Sequence, residues 1–292
     1  MTSIVRCARW LPRTGPTTPR GPCEIVGRVI FVEKPAVIGH RGFGRGTPRG
    51  YPENTVESCL AAVASGVGWI EIDAQRTADD QLVLRHDWTA PDGSCIVDRT
   101  AAELARQGVA RLADVLDAVP QEIGIDIDVK TVLTDATAPK PRRTCALLAA
   151  ALDKESRRRQ LLVTSFDPGL LTSLRPALPL VSFGLLTWLY FPLQHAIPGA
   201  AGLDLQAVGL HTGSFGERGE AGCTAGEQQP VAADAIDAAH EAGLDVLVWC
   251  PGPVAALRYA AAGADALCVD DVPGTLAALG GPRRRQGHAT EE

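Results

Sequence analysis

The sequence predicts a parallel α/β protein closed into a (β/α)8 barrel of a single domain. Short apolar strands alternate with helical segments about eight times along the chain. The chemically distinctive residues fall where those strands end, the rim at which such barrels gather their chemistry. The length of 292 residues suits one large barrel, and no low-complexity linker divides it. The barrel is expected over residues 34–280, between an N-terminal extension (1–33) and a polar C-terminal tail (281–292).

The first strand is Ala36 to His40, an apolar run followed by a loop rich in Gly, Pro and Arg that reaches Pro52. Asn54 is expected to cap a helix in which Val56, Leu60, Ala61, Val63 and Ala64 recur at helical spacing until Gly66 stops it. Trp69-Ile70-Glu71-Ile72-Asp73 is the strand on which the rest depends. Ile70 and Ile72 share one face, and Glu71 and Asp73 share the other, with Cα atoms ~6.6 Å apart. Leu82 to Asp87 is a further short strand after the turn formers Asp79-Asp80, and Pro91 to Arg99 is a polar excursion. Leu112 to Val119 reads as a helix. Gly124 to Lys130 is the next strand and repeats the alternation, with Ile125, Ile127 and Val129 against Asp126, Asp128 and Lys130. Helices at Thr144–Leu152, Gly169–Leu174, Val231–Ala242 and Val254–Ala262 then alternate with strands at Leu161–Phe166, Leu180–Thr187, Ala207–His211, Asp245–Cys250 and Ala266–Asp270.

Two strands carrying charge on their inward faces would disrupt a buried core unless something neutralised them. We read that something as a metal and a phosphate, because converging carboxylates suit a divalent cation that takes oxygen ligands. His40, Asp73, His86, Lys130 and Trp249 all lie at or just beyond strand ends, so one geometry gathers them.

Composition limits the rest. Hydrophobic residues make up 46% and charged residues 21%, enough apolar material for a sizeable core. The net charge of −6 supplies no basic face for nucleic acid. Eight cysteines are scattered singly, without a Cys-x-x-Cys pair, and read as reduced thiols. Residues 1–33 lack the apolar core of a signal peptide, and no stretch reaches the roughly 18 apolar residues of a membrane span. The expected location is the cytoplasm; the extension is either loosely ordered or precedes the true start of translation.

Gly39-His40-Arg41-Gly42, Pro52-Glu53-Asn54-Thr55, Glu71-x-Asp73 and Thr77-x-Asp79 leading to His86-Asp87 form an ordered set. It continues through Asp128-x-Lys130, Ser165-Phe166-Asp167, Trp249, and Gly263-Ala264-Asp265 leading to Asp271-x-Pro273. In order and approximate spacing it resembles the glycerophosphodiester phosphodiesterase family, over roughly residues 36 to 279. The resemblance implies a barrel of the phospholipase-C-like phosphodiesterase type that hydrolyses glycerophosphodiesters to sn-glycerol 3-phosphate and an alcohol. It implies a divalent cation, Ca2+ or Mg2+, on Glu71, Asp73 and Asp128, with His40 and His86 as the general acid/base pair. Arg41 and Lys130 match phosphate-contacting groups, and Trp249 is placed to pack against the glycerol carbons. A small-molecule substrate from lipid and glycerol metabolism follows, with attack by the neighbouring glycerol hydroxyl as one route. The oligomeric state stays open.

The chain departs from the family pattern in several places. Asp128 stands where Glu is usual, one methylene shorter, and Asp126 adds a possible fourth carboxylate to the same face. Arg45 and Arg49 lie in a longer loop and could reach an anionic substrate. Cys250-Pro251-Gly252 follows Trp249 where a polar segment is common, and the short run between Asp87 and Leu112 leaves the mouth open. Plainer readings stand beside these. Glu71 and Asp73 could pair structurally with Lys130 and Arg41, Glu53 and Asn54 could serve only the first helix, and Trp249 could be core. His195, His211, His240 and His288 read as surface or core histidines. The aromatic run Trp188 to Leu193 packs under a loop or forms an apolar lip of the kind a lysophospholipase D acting on longer lipids needs. In another class altogether lies a non-catalytic barrel that binds a phosphate ligand.

Overall fold

Strand β1 (Ala36–Gly39) hydrogen-bonds to β2 (Trp69–Arg76) on one side and to the last strand of the chain on the other, and this closes the sheet. The computed structural model describes residues 30–215 and 232–280. After β2 and the short β3 (Leu82–Leu84) come β4 (Gly124–Val129), β5 (Leu161–Ser165), β6 (Ser182–Leu186), β7 (Ala207–His211), β8 (Asp245–Trp249) and β9 (Ala266–Val269). All strands except β3 run parallel, in the circular order β1-β9-β8-β7-β6-β5-β4-β2, so the barrel has eight staves. The outer helices are α1 (Val56–Ala64), α2 (Ala101–Ala105), α3 (Leu112–Ala118), α4 (Thr144–Glu155), α5 (Pro168–Leu174), α6 (Leu193–Gly202), α7 (Ala232–Glu241), α8 (Pro253–Ala261) and α9 (Val272–Ala278).

Alternation along each strand builds two cores. Ile70, Ile72, Ile125, Ile127 and Val163 face outward and pack under the helices. Ile38, Trp69, Leu162, Leu186, Ala207, Leu247 and Cys268 face inward. The floor of the barrel is filled by the Trp69 indole, which lies so close over Gly124 that a Cβ there would meet the ring at 2.3 Å. Phe31 meets the same indole edge-on, with ring centroids 5.2 Å apart. Ile30 and Phe31, assigned from sequence to the extension, are thus buried in the barrel interior. Residues 1–29, the tail 281–292 and Val231, the expected first residue of a helix, lie outside the described residues.

Three differences from the sequence reading have clear physical causes. The strand after Asp79-Asp80 is not a stave: the connection is a tight turn, with Thr77 N–H donating to Gln81 O (2.9 Å) and Asp80 at φ 57°. Such a turn can only make an antiparallel hairpin, so β3 pairs with β2 on the rim. Asn54 does not cap α1. The cap is Thr55, whose hydroxyl accepts from Ser58 N–H, while Asn54 sits buried at φ 58° and turns its amide inward. Third, the polar excursion hides a small core: Val83, Ala90, Ile96, Ala101, Leu104 and Val109 bury one another beneath α2, which is closed by a Thr100–Glu103 capping box. No described helix is long and apolar enough to cross a membrane.

Candidate active site

Parallel register puts the charged residues of β2 and β4 in layers above the Trp69 floor. Glu71 pairs with Asp126 and Asp73 with Asp128 along the ladder, and all four carboxylates are buried. One oxygen from each of Glu71, Asp73 and Asp128 lies within 4.8 Å of the others. These three, with His40, Arg41, Asp126, Lys130, His86 and Trp249, line a cavity of about 470 Å³ at the C-terminal ends of the strands. Every residue expected from sequence to form the site therefore borders the same space. Arg45 and Arg49 do not. Arg49 lies over the Phe43 ring, and Arg45 is tied through its backbone N–H to Asp270.

His40 follows β1 directly. Its Nδ1 is 2.7 Å from Asp270 Oδ1 and its Nε2 is 3.9 Å from Glu71 Oε2. Burial opposes its charge, but Asp270, Cys250 and Glu71 outweigh burial and hold its pKa well above the usual imidazole value. Arg41 has φ 52°, so its backbone N–H reaches Glu71 Oε2 (2.8 Å) as its guanidinium meets Glu53 (3.0 Å) and Asp73 (3.4 Å). Lys130 joins Asp73 (2.9 Å) and Asp128. The pairing with Lys130 and Arg41 weighed for Glu71 and Asp73 is thus present for Asp73, and Lys130 also joins Asp128; Glu71, among the described residues, has instead His40 and the Arg41 backbone N–H as its favourable neighbours.

The electrostatics follow from this uneven pairing. Glu71 is pushed up to about 8 by burial and by Asp73. Asp126 is raised by burial and by Glu71, and Asp128 by burial despite Lys130. Burial acts against Asp73 too, yet Lys130 and Arg41 hold it below the ordinary carboxylate range. Asp128 Oδ1 is buried without a hydrogen-bond partner among the described residues. A cluster of buried oxygens short of positive charge, one of them unpartnered, fits a hard divalent cation. Glu71, Asp73 and Asp128 are the residues that would hold it.

Sequence reasoning missed the groups that hold these in place. Asn54 donates from Nδ2 to Asp73 Oδ2 (2.8 Å) and accepts from Asp73 N–H (2.9 Å), which fixes that carboxylate from both ends. Gln75, two residues along the same face of β2, donates to the carbonyls of Arg85 (2.7 Å) and Asp87 (2.8 Å) and so clamps the loop that carries His86. His86 turns Nδ1 to Asp87 at 2.9 Å. Thr164 donates to Asp126 (2.8 Å). On the opposite wall Phe166 stacks on Trp188 at 4.2 Å and meets Trp249 edge-on at 6.1 Å. The Trp249 indole N–H is buried with no protein partner among the described residues. Among the described residues Trp188 (63% exposed) and Tyr190 (65%) stand open to solvent, whereas Phe191 packs against the core and Leu193 is buried, so the run is exposed at its start and packed at its end.

Comparison with known proteins comes to the same place. A model of the glycerophosphoryl diester phosphodiesterase family matches residues 40–273. A phosphodiesterase from Oleispira antarctica, solved with the product sn-glycerol-3-phosphate, has a TM-score of 0.65 at 22% identity and covers 84% of this chain and 96% of its own. A glycerophosphodiester phosphodiesterase from Thermotoga maritima has a TM-score of 0.62 at 20% identity, covering 82% and 96%. At such identities these structures speak to the fold alone. Glycerophosphocholine phosphodiesterases of Eremothecium gossypii (38% identical over 72 residues, 23% of this chain) and Candida albicans (42% over 60 residues, 19%) are similar over short stretches. Each stretch spans only 5% of the relative's length.

Proposed function

The chain belongs to the glycerophosphoryl diester phosphodiesterase family, and on that footing we propose that it hydrolyses glycerophosphodiesters to sn-glycerol 3-phosphate and an alcohol. The observation that carries the reading is the meeting of Glu71, Asp73 and Asp128 within 4.8 Å in a cavity that both His40 and His86 border. A Ca2+ or Mg2+ ion held there would act as a Lewis acid toward a phosphoryl oxygen. Arg41 and Lys130 add fixed positive charge where the phosphorane-like charge develops. His40 and His86 divide the proton work, one taking the proton of the attacking oxygen and the other protonating the leaving oxygen. Trp249 has a buried N–H to offer the substrate. The product bound to the Oleispira antarctica relative is the one expected here, which would place the activity in lipid and glycerol metabolism. The cytoplasm is the compartment we propose, where cysteines scattered singly along a sequence stay reduced.

A second reading, a lysophospholipase D acting on longer lipids, is favoured by one observation, the exposed lip of Trp188, Leu189 and Tyr190 beside the cavity. Product analysis on glycerophosphocholine and lysophosphatidylcholine, each with and without chelator, tests both. Glycerol 3-phosphate release that needs the cation and falls about 10²–10⁴-fold in His40→Ala is the expected result. Cation-dependent turnover unchanged in that variant would overturn the role given to His40. Cation and phosphate binding without turnover would leave a binding barrel.

A further inference from the structure

A second set of ligand-bearing side chains meets on the far side of His40 from the carboxylates. His40 Nδ1 lies 2.7 Å from Asp270 Oδ1 and 3.8 Å from Cys250 Sγ, and the three ligand atoms are all within 4.8 Å of one another. They stand just beyond the ends of β1, β9 and β8, which barrel closure makes neighbours. His40 is buried, whereas Cys250 and Asp270 are half-exposed, so an ion has a path from solvent.

The chain holds these groups in place at some conformational cost. Cys250 sits at φ 60°, a left-handed conformation that cysteine seldom adopts, and is anchored by its N–H to Cys268 O at 2.8 Å. Gly44, at φ 127°, lets its loop pass so near Asp270 that a Cβ would lie 2.1 Å from the Asp270 carbonyl. The following residue, Arg45, donates its N–H to Asp270 Oδ1 at 3.0 Å.

The donor set is one nitrogen, one sulfur and one oxygen. Thiolate and imidazole select zinc over the hard cations that suit an all-oxygen site. Ordinary zinc bond lengths in a tetrahedron set sulfur and nitrogen about 3.6 Å apart and nitrogen and oxygen about 3.4 Å apart, so the 3.8 Å sulfur–nitrogen spacing is already close and the 2.7 Å hydrogen bond between His40 and Asp270 must open to admit the ion. Charge balances as well: a thiolate and a carboxylate meet a dication, and the imidazole is neutral. Solvent can supply the fourth ligand.

We infer that His40, Cys250 and Asp270 form an inhibitory zinc site, separate from the carboxylate cluster. Zinc replaces the proton on His40 Nδ1 and that on the Cys250 thiol, and both leave to solvent. The imidazole is then fixed with a single proton on Nε2. It can no longer alternate between one proton and two, which either half of acid/base catalysis requires. The inhibitory part rests on the catalytic role proposed for His40; the site itself does not.

Titration of the full chain with Co2+ tests the site without turnover. A sulfur-to-cobalt charge-transfer band that saturates at one equivalent is expected, lost in Cys250→Ser and in Cys250→Ala and kept in Glu71→Gln. In turnover assays with excess Mg2+, zinc should inhibit the wild type. With inhibition read against each protein's own zinc-free rate, Cys250→Ser should need about tenfold more zinc, or higher, for half-inhibition. Absence of the band, or its persistence in both Cys250 variants, would overturn the site. Equal zinc sensitivity of wild type and variant would overturn the inhibition. A wild type that shows the band but hydrolyses no glycerophosphodiester would remove the proposed function and leave the metal site standing.

Discussion

Asp270 accepts from the Arg45 backbone and holds His40 Nδ1, so it sets which imidazole nitrogen faces Glu71. In Asp270→Asn the amide keeps the shape and removes the charge. Turnover is expected to fall on the order of tenfold or more, part of the ~10²–10⁴ that acid/base catalysis contributes, with KM nearly unchanged. Because Asp270 raises the His40 pKa against burial, its loss should also move the corresponding limb of the pH–rate profile to lower pH. A lower melting temperature with an unmoved profile would mark Asp270 as merely structural. Gln75→Leu frees the loop bearing His86 and should likewise lower kcat; a variant with wild-type kcat would show that this clamp is dispensable. The sequence made His40, Asp73, Lys130 and His86 legible as unusual residue types at or just beyond expected strand ends, and Glu71 and Asp128 as carboxylates alternating with apolar residues along a strand, with their roles implied by the family resemblance. Asp270 and Gln75 were not read, although closure of a barrel makes its first and last staves neighbours. That alone brings Val269 beside Gly39 and therefore Asp270 beside His40.

At the level of elements, side-chain period decided what could be read. The staves were visible because apolar residues alternate with polar ones on β2 and β4, the two longest, and because the shorter ones are mostly apolar runs. Helices α2, α6 and α9 were missed for separate reasons. α2 is five residues long, and α6 contains Pro198 and follows an aromatic run that obscures its period. α9 begins with a signal that could have been used, Asp271 accepting from Gly274 N–H with a proline in the first turn. β3 looked like a stave because strand propensity does not encode direction; the turn before it does. The Trp69–Gly124 contact is where β2 and β4 set their register, and Gly124→Ala forces a methyl into the indole. We expect a loss of about 1–3 kcal/mol from overpacking, read by chemical denaturation. Wild-type stability would mean that the indole moves aside at no cost and that the floor does not fix the register of Asp126 and Asp128.

The barrel as a whole carries an electrostatic debt at its mouth. Four buried carboxylates face two fixed cations, Arg41 and Lys130, so folding without a bound ion favours protonated acids. For Glu71 the sign is definite. An unfolded glutamate ionises near 4.5 and the folded one at about 8. The folded state therefore binds the extra proton across that interval, so stability from this group is full below the lower value and is lost as pH rises through the upper one. Asp126 and Asp128 are raised and act in the same direction. A divalent cation reverses the preference because it binds the ionised carboxylates, adding about 2.7 kcal/mol at a concentration a hundredfold above its Kd. In the cation-free protein the melting temperature should thus decline from mildly acidic to mildly alkaline pH. Excess Mg2+ or Ca2+ should flatten that decline, most strongly at the alkaline end. Glu71→Gln should be less pH-sensitive without cation and gain little from it, a comparison that differential scanning fluorimetry across the pH series can make. If wild type and variant gained equally from cation at every pH, Glu71 would be no ligand and the ion would be bound elsewhere.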